Sequence, residues 1–211
     1  MNTSAAAFAD LADQFLVAYV SVSVFEASTA ALFNVGHAVE LYLKAAHCAH
    51  AADARVESYG HDVQRLLNDL RSKEPELLAE YALRPGAIRK YVTCADLPAA
   101  AAVDPDYLHF NQNRELYWIA TFLAETKYLF ASPGKRLKGR DFVVFIFGLN
   151  EYWLPFFRQL RAYLSAQGVH LSTRLEKASR SEMLAPPSQG YLRALCRGQN
   201  PSIERTASRC A

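Results

Sequence analysis

The chain has 211 residues, of which 51% are hydrophobic and 21% charged, with a formal net charge of +2. That length fits one domain, or one domain with an appendage, and it holds a core without disulfides or structural metal. The composition excludes a disordered chain, a collagen-like chain and a disulfide mini-scaffold, and the near-neutral balance argues against a polyanion-binding surface spread over the whole molecule.

Alanine dominates the first hundred residues, and Asn-Gly and Asp-Gly pairs are absent, which favours helices over hairpins. A first helix is predicted from near Ser4 through Leu11, Phe15 and Tyr19. The Val/Ser alternation of Val20–Phe25 has no visible strand partner and reads as the end of that helix. A second helix spans about Thr29 to Ala51, because Leu32, Val35, Val39, Leu43 and Ala46 recur at spacings of three and four. Within it Glu40 precedes Lys44 by four positions, the favourable orientation for an ion pair. That pair reads either as a surface bridge or as part of a polar site inside the fold. A third helix opens after Tyr59-Gly60, with His61 and Asp62 in its first turn and a stripe of Val63, Leu66, Leu67 and Leu70.

Breaks at Arg84-Pro85-Gly86, Leu97-Pro98 and Asp104-Pro105 frame a short helix over Ala87–Cys94. A long helical pattern then runs from Pro105 to Phe130. It contains the polar and aromatic stretch Asn111, Asn113, Arg114, Tyr117 and Trp118, which reads as a core ridge or as a nucleotide clamp. The basic loop Lys135–Arg140 leads into Phe142–Phe147, which reads as a strand or, with Trp153, Phe156, Leu160 and Leu164, as a long final helix kinked at Pro155. Gly168 is expected to end the compact part. Val169–Ala211 holds six Ser and three Pro, and 7 basic against 3 acidic residues, and is expected to be a mobile basic tail.

The four cysteines, Cys48, Cys94, Cys196 and Cys210, form no C-x-x-C pair, which suits reduced thiols in the cytoplasm. The first basic residue is Lys44, so no secretory or mitochondrial leader is expected. The apolar stretches are too short or too interrupted to span a bilayer, and no membrane is expected. His47 and His50, with Cys48 beside them and His37 some turns before, are the one metal-type grouping considered. Two histidines on one helix do not complete a coordination sphere, so neither metal nor cofactor is expected. The expected fold is all-α, with a compact part over residues 1–168 that ends in a long final helix, followed by the tail of residues 169–211.

Two segments carry a resemblance. His37-Ala38-Val39-Glu40-Leu41-Tyr42-Leu43-Lys44-Ala45, and Gly60-His61-Asp62-Val63 followed by Leu66-Leu67, together resemble the HEPN superfamily, specifically bacterial members with an E-L-x-L-K-A helix and a G-H-D-hydrophobic turn. The resemblance spans Asn34 to Leu70. It implies an antiparallel four- to five-helix bundle over residues 1–168, a homodimer, and association with RNA or nucleotides in toxin–antitoxin or defence systems. Active members are metal-independent ribonucleases whose signature is an Arg, four to six residues and a His near the start of a late helix. Arg55 and His61 meet that spacing, on the loop before an early helix. Arg114, Arg158 and Arg161 lie later, and no His follows any of them at the required distance.

On this reading His61 is the general base toward a ribose 2′-hydroxyl, Arg55 or Arg114 holds phosphate, and Glu40, Lys44 and Asp62 complete the nucleotide site. The competing reading makes His61 a fastener, bonded to a neighbouring helix through Glu40. A second function, a non-catalytic bundle that dimerises and docks a partner protein, is favoured by the absence of a late-helix Arg followed by a His at the family spacing.

Overall fold

The computed structural model describes residues 3–23, 28–52, 54–83, 113, 116–117, 119–120 and 152–197. These residues form helices α1 (Thr3–Ser23), α2 (Ser28–His50), α3 (Val63–Lys73), α4 (Leu154–Ala166), α5 (Arg174–Ser179) and α6 (Pro186–Cys196), with a 3₁₀ turn at Val56–Tyr59. Residues 116–117 and 119–120 are also helical, and no strand occurs among the described residues. Among them no helix is long and apolar enough to cross a membrane. The expected elements at Ala87–Cys94 and Phe142–Phe147, and the basic loop, lie outside the described residues.

α1 and α2 pack side by side over most of their length. The buried face of α1 is Ala5, Ala9, Ala12, Leu16 and Tyr19, a spacing of three and four in which the small side chains let the α2 backbone approach closely. Leu11, on another face of the same helix, is 41% exposed. Packing selected the alanine face. α2 is buried on nearly every side, because α3 and α4 cover what α1 leaves. α3 follows its predicted stripe: Val63, Leu66, Leu67 and Leu70 are all fully buried, each worth about 1.5–3 kcal/mol relative to exposure.

α4 brings Phe156, Phe157 and Leu160 into the same core. Pro155 sits in its first turn, where the missing N–H removes no helical bond. One buried polar network crosses this core. Asp13 of α1 accepts from both Tyr42 of α2 and Arg161 of α4. Arg161 also donates to the Tyr42 oxygen at 2.6 Å, and Ser172 donates to Asp13 at 3.0 Å. Burial pushes the Tyr42 hydroxyl well up against the pull of Arg161, so it stays protonated and donates.

The chain does not leave the fold at Gly168. That residue, at φ 73°, closes α4 with paired bonds, Gly168 N–H to Ser165 O at 3.0 Å and Val169 N–H to Leu164 O at 2.9 Å, the Schellman arrangement. α5 and α6 follow, and Leu175, Tyr191, Leu192 and Leu195 are buried in the common core. Ser188 donates to Val20 O at 2.9 Å. Residues 169–197 are thus folded, against the expectation of a mobile tail. Pro186 and Pro187 contributed to that expectation as linker residues, yet they occupy the first turn of α6, where proline suits a helix. Residues 198–211 lie outside the described residues.

Candidate functional site

Phe33, His37, Glu40 and Lys44 recur at four, three and four positions along α2, so they share one stripe of the helix. The facing residue comes from the turn before α3. Gly60 adopts φ 56°, which glycine tolerates without strain, and the chain reverses there. Asp62 then caps α3, its Oδ1 accepting from the Arg65 N–H at 2.9 Å. His61 lies between glycine and cap, just outside the helix and not in its first turn, and it reaches back to α2.

The contact is direct. His61 Nδ1 lies 2.8 Å from Glu40 Oε2. Lys44 donates to Glu40 Oε1 at 2.6 Å, and His37 Nδ1 stands 3.4 Å from Oε2. The Glu40 side chain is 3% exposed and that of His61 is 44% exposed. The Glu40–Lys44 pair therefore belongs to the interior alternative and not to the surface. Burial works against the Glu40 carboxylate, but hydrogen bonds from His37, His61 and Lys44, together with the lysine charge, outweigh it and hold its pKa down at about 2. An aromatic ridge adjoins the cluster. The Phe33 and His37 rings lie 4.4 Å apart, those of Phe15 and His37 5.1 Å, and those of His37 and His61 5.8 Å. Phe33 is 38% exposed.

A carboxylate that accepts from Nδ1–H fixes a neutral imidazole in the tautomer whose Nε2 carries a lone pair. His61 is thus held by a buried carboxylate at one ring nitrogen while its side chain stays 44% exposed.

The residues expected at a site divide into three groups. Glu40, Lys44 and His61 are brought together. Asp62 is spent on its own helix. Arg55 is exposed, its carbonyl accepts from Ser58 Oγ at 2.8 Å, and no hydrogen bond or ring contact joins it to His61 among the described residues. Arg114 lies outside the described residues. Arg161 is 1% exposed and bound to Asp13, which withdraws it from any phosphate. The sequence reading did not place His37 or Phe33 at the site. His37 and Phe33 lie three and seven residues before Glu40 on the same stripe, and of the two His37 alone enters the sequence reading, as the first residue of the resemblance segment and beside the His47–His50 grouping.

His47 and His50 do not converge on a metal. His47 Nε2 bonds to Leu66 O at 2.9 Å and His50 Nδ1 to Glu74 Oε1 at 2.9 Å, so both fasten α2 to the α3 region. Burial draws the His47 pKa down and pushes the Cys48 thiol up. Among the described residues the metal-type grouping is instead His37, Glu40 and His61, whose ligand atoms all lie within 4.8 Å of one another. Set against protein-family models, curated proteins and solved structures, the chain matches none.

Proposed function

We propose that this chain is a HEPN-like antiparallel helical bundle that binds RNA or a nucleotide at the Glu40–Lys44–His61 cluster and cleaves RNA without a metal ion, in a toxin–antitoxin or defence setting. The observation that supports the reading is the 2.8 Å bond between His61 Nδ1 and a buried Glu40, the pairing of base and orienting carboxylate that general-base chemistry needs.

In the proposed step His61 Nε2 takes the proton of a ribose 2′-hydroxyl. The oxygen attacks the adjacent phosphorus, the bond from phosphorus to the 5′-oxygen breaks, and the 5′-oxygen takes a proton from water, giving a 2′,3′-cyclic phosphate and a 5′-hydroxyl. Glu40 holds the ring and steadies the imidazolium. Lys44 adds positive charge beside the reacting phosphate, with Arg55 or Arg114 as the phosphate-binding arginine. Phe33, 38% exposed, offers a face on which a base stacks, worth about 1–3 kcal/mol.

The test is cleavage of labelled RNA in EDTA, read on a denaturing gel, by the wild type and His61→Ala. General-base loss predicts a rate lowered by about 100-fold or more. Undiminished cleavage by a folded His61→Ala protein refutes the role given to His61. Absence of both cleavage and salt-sensitive RNA binding in the wild type favours the second reading, a non-catalytic bundle that dimerises and docks a partner protein. One observation supports that alternative: no hydrogen bond or ring contact joins Arg55 and His61, the pair with the family spacing, among the described residues.

A further inference from the structure

We infer that His37, Glu40 and His61 form a binding site for a divalent transition-metal ion of the zinc class. Two imidazole nitrogens and one carboxylate oxygen, supplied by α2 and by the turn before α3, present ligand atoms within 4.8 Å of one another. Glu40 Oε2 is the hub, with His37 Nδ1 at 3.4 Å and His61 Nδ1 at 2.8 Å. A zinc ion bonded at about 2.0–2.2 Å in tetrahedral geometry keeps its donor atoms about 3.4 Å apart. The first separation already has that value. The second must open by about half an ångström to reach it, and His61 is the residue able to move, half-exposed and next to Gly60.

Two further features fit. Lys44 holds Oε1 at 2.6 Å, which turns the carboxylate to offer Oε2 alone and fixes its orientation, as partners behind a metal ligand do. The exposed side of His61 leaves a fourth position open to water or to a phosphate oxygen. Two imidazoles with one carboxylate select Zn²⁺, Ni²⁺ or Cu²⁺ over Mg²⁺ and Ca²⁺, which ask for oxygen donors. The Lys44 charge further opposes any ion that the imidazoles do not hold by a real bond.

The inference stands on donor geometry and not on the RNA reading. Where both hold, the bound ion takes Nδ1 of His61, the ring proton moves to Nε2, and His61 no longer serves as a base. Zn²⁺ then silences the site.

The experiment titrates the full chain, stripped with a chelator and desalted, with ZnCl₂ alone in a calorimeter. One ion per chain is expected. His37→Ala and His61→Ala are each expected to weaken binding by about 10-fold or more, with unchanged circular dichroism. His50→Ala, which removes the other imidazole–carboxylate pair, is expected to leave it unchanged. Visible absorption of bound Co²⁺, lost in His61→Ala, gives a second readout. Should His37→Ala fail to fold, His61→Ala decides, since its side chain stands in a turn. No uptake by the wild type, or uptake that survives His61→Ala, overturns the inference. Cleavage assayed in EDTA reports on the RNA reading alone, so the two fail separately.

Discussion

Replacing Glu40 with glutamine removes the charge on which His37, His61 and Lys44 converge. The unfolded chain protonates this carboxyl near 4.5, and the folded one near 2. Each tenfold change in proton affinity is worth about 1.4 kcal/mol, so the folded environment favours the carboxylate by about 3 kcal/mol. The pKa is lower in the folded state, so on acidification the unfolded chain takes up the proton first. The stabilisation is fully present above pH 4.5 and is lost as pH falls toward 2. Urea unfolding of wild type and Glu40→Gln, followed by far-UV circular dichroism between pH 7 and 2, isolates this group, because the other titrating residues contribute to both chains. The wild type is expected to exceed the variant by about 3 kcal/mol at pH 6 and to lose that margin across the acid window. A margin that does not change with pH refutes the reasoning. It would mean that solvent, and not the three donors, stabilises the carboxylate.

Arg161→Met strands the Asp13 carboxylate in the core and is expected to cost about 3–5 kcal/mol. The double change Asp13→Asn with Arg161→Met is expected to lose less than the two single changes combined, in urea midpoints. Leu192→Ala, within the segment whose composition resembles a tail, is expected to cost about 2–5 kcal/mol as a core truncation. An unchanged thermal midpoint would return α6 to the surface. Asp62→Ala removes the cap of α3 and is expected to cost about 1 kcal/mol without touching the His61–Glu40 bond. The His61 ring proton shifts by NMR should therefore stay in place.

The elements whose evidence lies within a few turns were legible. α3 shows this most clearly: four apolar side chains at spacings of three, one and three allow only one buried face, and all four are buried. The ends of α2 were found within a residue of Ser28 and His50. α1 was legible as a helix and not as an oriented one. Alanine is a helix former on any face, so the sequence chose no face, while packing against α2 took the small side chains of Ala9 and Ala12 and left Leu11 41% exposed. The Ser and Pro of residues 169–197 misled for a related reason. Composition counts residue types, whereas the same prolines at a helix start and the same serines bonded to Val20 and Asp13 are parts of a core.

The candidate site divides in the same way. The sequence alone determined that Glu40 and Lys44 share a helix face and that Gly60 and Asp62 start a new helix, since these follow from backbone periodicity and local capping. Only the tertiary structure decided that Glu40 is buried, that His61 crosses 21 residues of chain to meet it, and that Arg161 is committed to Asp13 across 148. Contacts at such separations depend on how helices dock. Docking is a property of whole apolar surfaces, which no single spacing in the sequence records.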